Sequence, residues 1–402
     1  MTRVVIVGAG VAGVTTATAL RQQGFVGEVT LIDAGEFAYA RPPLSKGFLT
    51  GSASRESLAF FSQQWFADNA ITYLPNAHVT AIDRDVLAVQ THRGTRIEGD
   101  MIVLATGGHA LVPSLLSNDS GRVHVLRTIE DAERLRASLE AGTRLLVIGA
   151  GLLGAEIAIS AHGMGVDVAT IDPAAVPLGH LVGERLGLWL RDRLEGFGIS
   201  HTTASVAAVR AVEHAVTVEL ANGETLAADQ VVLAIGLRPD TTLAQAAGLD
   251  VDRAVLVDER QRTSDPRILA IGDCSADAAS APHRAAGHWD AAKASGERAA
   301  ATILGHEPAD PGVSWFWSDR GDVRLDVLGN FAGAERHIDR GAFGGAQFMV
   351  GGFTNGILTS AACVNDPKSA RQLRKLLDRA WRPRPEEFAD VSQTLKQLAT
   401  AR

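Results

Sequence analysis

The chain has 402 residues, 46% hydrophobic and 21% charged, with a formal net charge of −8. That length exceeds one ordinary core, so two or three domains are expected, and the acidic balance argues against nucleic acid as the main partner. Two cysteines far apart, Cys274 and Cys363, exclude a disulfide framework, a CxxC redox pair and a cysteine zinc site. The histidines lack HExxH-like spacing, so no metal site is expected. No apolar run reaches the roughly 20 residues that cross a bilayer. The N-terminal MTRVVIVGAGVAG sets a charge before an apolar run, as a signal peptide does. Its glycines nevertheless fall in a dinucleotide pattern, and no small-residue cleavage site follows, so a cytoplasmic protein is expected.

RVVIVGAGVAGVTTATALRQQGFVGEVTLIDAG reads as strand, tight turn, helix and strand. The apolar run Val4–Val7 leads into Gly8, Gly10 and Gly13. The first glycine permits the sharp turn, the second lets backbone approach a pyrophosphate, and the third lets the helix pack on the strand. The second strand ends in Asp33, twenty positions after Gly13, where a carboxylate can bind ribose hydroxyls. Next comes YARPPLSKGF at 39–48, in which Pro42 and Pro43 forbid ordinary helix and predict a stiff, basic loop without cysteine. GDMIVLATGG reads as a buried strand running into a glycine turn at Ala105, Thr106 and Gly107.

The nucleotide pattern then returns in TRLLVIGAGLLGAEIAISAHGMGVDVATIDP, with Gly149, Gly151, Gly154 and the strand-end Asp172. One such motif is weak and could be a structural turn. Two complete units, each with strand, helix and terminal acid, predict a chain that binds two dinucleotides. Asp172 would accept from the 2′-hydroxyl of NADH and repel a 2′-phosphate, and Pro173-Ala174-Ala175 offer no arginine, so NADH is favoured over NADPH. ADQVVLAIGLRPD is a second buried strand entering a glycine turn, at Gly236. SDPRILAIGDCSAD reads as a strand ending in Gly272-Asp273, and Cys274 behind it reads as a packing residue.

These residues resemble the FAD-dependent, NADH-using ferredoxin reductases of the glutathione-reductase-like flavoprotein superfamily. Such proteins supply electrons to Rieske-type aromatic-ring dioxygenases or to bacterial cytochromes P450. The markers GAGVAG, RPPLSK, ATG at 105–107, GAGLLGAE, TSDPRILAIGDCS and WFWSD at 315–319 run along nearly the whole chain. The resemblance implies an α/β fold with two Rossmann-like dinucleotide-binding domains, for FAD and NADH, plus a C-terminal α/β domain. The FAD-binding domain would be 1–108 with 238–312, the NADH-binding domain 109–237, and the C-terminal interface domain 313–402.

The same resemblance implies site roles. Lys46 and Glu156, the latter expected on the first turn of its helix, would pair beside the flavin as electrostatic and positioning groups. Trp317 would be an aromatic wall, with Trp315 and Phe316 alternating with it on a strand, and Trp289 a second aromatic at a helix start. Arg41 would reach FAD phosphate or adenine-side groups, Asp273 the ribityl chain, and the glycine turns at 105–107 and 236 the cofactors. Two departures stand out: Gly287 replaces a glutamate common in the family, and no arginine soon follows ATG.

The implied reaction is hydride transfer from NADH to FAD, then single-electron steps to a separate [2Fe–2S] ferredoxin, more naturally of a Rieske dioxygenase than of a P450 system. DPKSARQLRKLLDRAWRPRP concentrates basic residues, and on one helix Arg371, Lys375, Arg379 and Arg382 would share a face for an acidic ferredoxin or for solvent. Of three rivals, the first is disfavoured by the lack of cysteine in residues 39–48 and the third by the two complete dinucleotide units. They are an oxidase or peroxidase of the superfamily, which needs a redox cysteine, a redox sensor resembling apoptosis-inducing factor, and a regulatory NADH-binding module.

Overall fold

The computed structural model describes residues 1–116, 120–212, 215–280, 282–283, 285, 287–379 and 381–400. It divides into two compact units, one of Met1–Arg41, Ser54–His109 and Leu237–Pro311, the other of Pro42–Ala53, Ala110–Gly236 and Gly312–Arg402. Among the described residues no helix is long and apolar enough to cross a membrane.

In the first unit, strand β1 (Arg3–Val7), helix α1 (Val11–Gln22) and strand β2 (Glu28–Ile32) form the predicted nucleotide motif. The strands lie in a parallel sheet ordered Ile268–Ala270, Met101–Leu104, β1, β2, Ile71–Leu74. A sheet covered on both faces needs apolar side chains at successive positions, which is why the run reads VVIV without alternation. Val4 and Ile6 face α1 and the helix Trp289–Ile303, while Val5 and Val7 pack with Ile102, Leu104 and Val89 on the opposite face. The two helices approach closely because Gly296 has no side chain there, and Thr16 Oγ1 donates to its carbonyl at 3.2 Å.

The second unit repeats the motif as strand β3 (Arg144–Ile148), helix α2 (Leu152–His162) and strand β4 (Asp167–Asp172). Its parallel sheet runs Ser200–Thr203, β4, β3, Gln230–Leu233, Val123–His124. The same unit holds an antiparallel sheet that begins with β5 (Trp315–Arg320) and continues through Val323–Gly329, Ile357–Val364, Phe348–Thr354 and Arg336–Arg340. Leu186 and Leu190 of the helix Glu184–Gly196 cover one face, against Val323, Leu325 and Val327. Helix α3 (Pro367–Asp378) covers the other with Ala370, Leu373 and Leu377.

Two expectations are corrected. The stretch after Arg41 is more regular than a loop: Pro42–Ser45 is a 3₁₀ turn and Gly47–Thr50 a short helical turn. Prolines are tolerated at a first turn, where their missing N–H has no partner to lose. The basic stretch does not make one helical face either, because α3 ends at Asp378 with Arg379 as its cap. Trp381, 8% exposed, is drawn into the core beneath the helix, and its N–H returns to the Leu376 carbonyl at 2.9 Å. Arg382 and Arg384 therefore lie beyond the helix, Arg382 against the Trp381 carbonyl and Arg384 paired with Glu387.

Candidate functional site

The two glycine turns are built alike, within their own units. A Cβ on Gly8 would meet the Ala105 carbonyl oxygen at 2.2 Å, and one on Gly149 the Ala234 oxygen at 2.4 Å. Ala105-Thr106-Gly107 and Ala234-Ile235-Gly236 thus back their turns at equivalent places, Thr106 held by its Oγ1 donating to the Asp240 carbonyl at 2.8 Å. A Cβ on Gly13 would lie 1.9 Å from the Gly8 oxygen, and one on Gly154 1.8 Å from the Gly149 oxygen. Asp33 accepts the N–H groups of Ala9 and Gly35, and Asp172 those of Ala150 and Ala174, both at 2.8 Å. Each acid thereby clasps its own turn. Both carboxylates are partly exposed and keep acceptor capacity for hydroxyl groups.

These turns fit dinucleotides by a further structural criterion. Among the other described helices of eight or more residues, three are capped by the side chains of Thr128, His288 and Asp366, and the fourth, Glu184–Gly196, carries Glu184 in its first turn. Helices α1 and α2 begin at Gly10 and Gly151 with no side-chain cap and no acid in the first turn, leaving their N–H groups for an anion. Arg41 Nη1 lies 3.0 Å from where a Cβ on Gly10 would be, so a cation overlooks the first turn. Beside Gly151 the corresponding space is empty to 4 Å among the described residues. Asp273, with Gly272 and Gly287, lines a cavity of about 240 Å³ in the first unit. Trp289 opens the helix Trp289–Ile303, whose Ala291, Ala292 and Ser295 line that cavity, and its ring centroid lies 5.6 Å from that of Phe60.

Lys46 and Glu156 are brought together in the second unit. Glu156, 8% exposed, is the fifth residue of α2, so it begins the second turn, one turn later than expected. Its Oε1 meets Lys46 Nζ at 3.2 Å and accepts Ser318 Oγ at 2.8 Å and the Asp319 N–H at 3.2 Å. Its Oε2 accepts Ser45 Oγ at 2.7 Å. Lys46 Nζ also lies 3.2 Å from Asp319 Oδ2, so one ammonium bridges two carboxylates. Ser160 of α2 donates to the Ser45 carbonyl at 2.6 Å and fixes the approach of the Pro42–Ser45 turn. Four donors on one buried carboxylate make it a rigid, charge-assisted junction.

Trp317 joins this network through a cation: Arg324 reaches Asp319 at 3.3 Å, and its guanidinium carbon lies 6.0 Å from the Trp317 ring centroid. Phe316 alternates with Trp317 on β5, as expected. Trp315 does not: it stands on the same side, its ring 5.1 Å from that of Trp317 at 29°, because residues two apart on a strand share a face. Both thiols are buried. Burial raises the pKa of Cys274 and of Cys363, which keeps each thiol protonated and unreactive.

Reasoning on the sequence missed Ser45, Ser318, Asp319, Arg320 and Arg324 as members of the site. Ser45, Ser318 and Asp319 stood inside the quoted RPPLSK and WFWSD motifs. Arg320 and Arg324 carried no local signal, since strand pairing alone brings them to the cluster.

Residues 2–296 match the family described as pyridine nucleotide-disulphide oxidoreductase, and residues 315–399 match the reductase C-terminal family. Rhodocoxin reductase of Rhodococcus erythropolis is 35% identical over 99% of this chain and 94% of its own. The anthranilate 1,2-dioxygenase system ferredoxin–NAD(+) reductase component of Burkholderia cepacia is 34% identical over 98% of each chain. The reductase in a covalent putidaredoxin reductase–putidaredoxin complex superposes with a TM-score of 0.92 at 32% identity, over 100% of this chain and 98% of its own. The chain belongs to the pyridine nucleotide-disulphide oxidoreductase family, among the ferredoxin reductases that end in a reductase C-terminal domain.

Proposed function

We propose that this oxidoreductase, which works with FAD and NADH, passes electrons to a [2Fe–2S] ferredoxin that serves a Rieske ring-hydroxylating dioxygenase, with a P450 system as the second reading. Relatives named for dioxygenase systems and putidaredoxin reductase stand at similar identity, 30–34% against 33%. One observation carries the proposal: a lysine is fixed between two carboxylates while both cysteines are buried. That combination suits a flavin that hands its electrons on directly.

FAD, when bound, takes the electron pair of a hydride from NADH and releases electrons singly. Lys46 would supply a fixed positive charge for the electron-rich ring, and Glu156, held by Ser45, Ser318 and the Asp319 N–H, would keep Lys46 in place. Trp317 would wall the reaction centre. The FAD side would be held by Gly8, Gly10, Gly13, Asp33, Arg41, Ala105, Thr106, Gly107, Asp273 and Trp289. Gly149, Gly151, Gly154, Asp172 and Gly236 would hold NADH. We assign 1–108 with 238–312 to FAD binding, 109–237 to NADH binding and 313–402 to the C-terminal interface domain, in a cytoplasmic protein.

Asp172 sets the nicotinamide preference in this account. Arg191, unmarked in the local sequence, donates from Nη1 to the Ala175 carbonyl at 3.2 Å and from Nε and Nη2 to Asp192 Oδ1, so a 2′-phosphate would gain chiefly from removal of the Asp172 charge. Asp172→Ala is expected to narrow the NADH-to-NADPH ratio of kcat/KM by about tenfold, the equivalent of one charge repulsion relieved. An unchanged ratio would place the discrimination elsewhere.

For the acceptor, the exposed cations Lys368, Arg371 and Lys375 on α3, with Arg379 at its end, offer a positive surface on an acidic protein. Charge reversal at Arg371 and Arg379 is expected to raise the KM for ferredoxin about tenfold at low salt and to flatten its salt dependence. Ferredoxin affinity and salt dependence that stay as in the parent would remove this surface from the account.

A further inference from the structure

Arg320 closes β5 with its side chain only 3% exposed. An interior guanidinium is retained where its charge and its donors are met. Its Nη2 donates to the Gly151 carbonyl at 3.1 Å, its Nε lies 3.4 Å from Ser318 Oγ, and the negative charge of Glu156 favours its ionised form. Burial still draws its pKa down to about 10, which leaves it charged at neutral pH.

The partner is informative. Gly151 is the middle glycine of the second turn and the N-cap of α2, and its carbonyl already accepts the Ala155 N–H at 3.1 Å, the first bond of the helix. Arg320 takes the remaining acceptor position and grips the turn by its carbonyl, while no described residue fills the space beside the Gly151 Cα. The first turn is arranged differently, with Arg41 over the side of Gly10 that a Cβ would occupy. Ser318 Oγ and the Asp319 N–H bind Glu156 one turn further along α2. Three successive residues of β5 thus clamp the start of one helix.

We propose that Arg320 is a positioning residue for the nicotinamide dinucleotide: by fixing the Gly151 peptide it orients the N–H groups at the start of α2 toward the pyrophosphate. The inference rests on reading the second turn as the NADH site. Because the grip is the same before and after reaction, its loss weakens binding and leaves the chemical step largely intact.

The test uses FAD-loaded Arg320→Gln and Arg320→Lys, with NAD⁺ titrated onto the oxidised enzyme and NADH used in stopped flow. Loss of one charge-assisted hydrogen bond is expected to raise the NAD⁺ Kd about tenfold in Arg320→Gln. Arg320→Lys, which keeps the charge but not the fork, is expected to raise it about threefold. The limiting rate at saturating NADH should stay within about twofold of the parent, and the flavin content should be unchanged. A Kd within about twofold of the parent in Arg320→Gln, or a loss confined to the limiting rate, would overturn the proposal. If Arg320→Gln yields no holoenzyme, Arg320→Lys decides it alone: a Kd equal to the parent's would overturn it. A parent that binds no NAD⁺ would instead overturn the assignment of the turn.

Discussion

Lys46→Met is expected to slow the reduction of the bound flavin by NADH about 100-fold, the usual cost of removing one preorganised electrostatic group from a reaction centre. Methionine keeps most of the volume and removes the charge. The ammonium lies 3.2 Å from both Glu156 Oε1 and Asp319 Oδ2, so its loss leaves two carboxylates facing each other without the cation between them. Its side chain is 22% exposed, so the accompanying loss of stability should be below the 3–5 kcal/mol typical of a fully buried broken pair, at about 2 kcal/mol. The flavin midpoint potential should fall, because a positive charge that favours the electron-rich ring has gone. Stopped-flow reduction and a redox titration read the two effects separately. A variant with both the rate and the potential of the parent would show that the pair is only structural.

Gly13→Ala and Gly154→Ala are expected to separate the two dinucleotides. Each methyl would sit under 2 Å from the carbonyl oxygen of the first glycine in its own turn, a backbone atom that cannot swing aside. The turn must open, and overpacking of this kind costs about 3 kcal/mol, roughly 100-fold in affinity. Gly13→Ala should purify with little FAD, visible as a lost flavin absorbance. Gly154→Ala should keep its FAD and lose NAD⁺ affinity by about 100-fold. The opposite pattern would exchange the two assignments, and full occupancy of both variants would refute them.

Much of this architecture was legible because it repeats. Gly8, Gly10, Gly13 and Asp33 and their counterparts Gly149, Gly151, Gly154 and Asp172 are local patterns. Each spacing corresponds to a strand, a turn and a helix that form from adjacent residues. The pairing of Lys46 with Glu156 was legible only through resemblance, since no spacing connects residues 110 positions apart. Strand pairing hid the rest. Ser318, Asp319 and Arg320 reach α2 because β5 lies in an antiparallel sheet whose partners start at Val323 and Ile357. The face of Trp315 was misjudged by parity, and the length of α3 by charge. The apolar Trp381 decides where that helix stops, and a run of arginines carries no such information.

The central claim is that electrons leave the flavin directly for an iron–sulfur protein, with no thiol between them. Its most direct test is steady-state oxidation of NADH by the FAD-loaded chain in the presence of a [2Fe–2S] ferredoxin, beside a Cys274→Ser, Cys363→Ser double variant. The account predicts two ferredoxins reduced for each NADH consumed, at the same rate in both proteins. NADH consumed with hydrogen peroxide formed and the ferredoxin left oxidised would contradict it, as would a double variant that holds its FAD and no longer reduces ferredoxin.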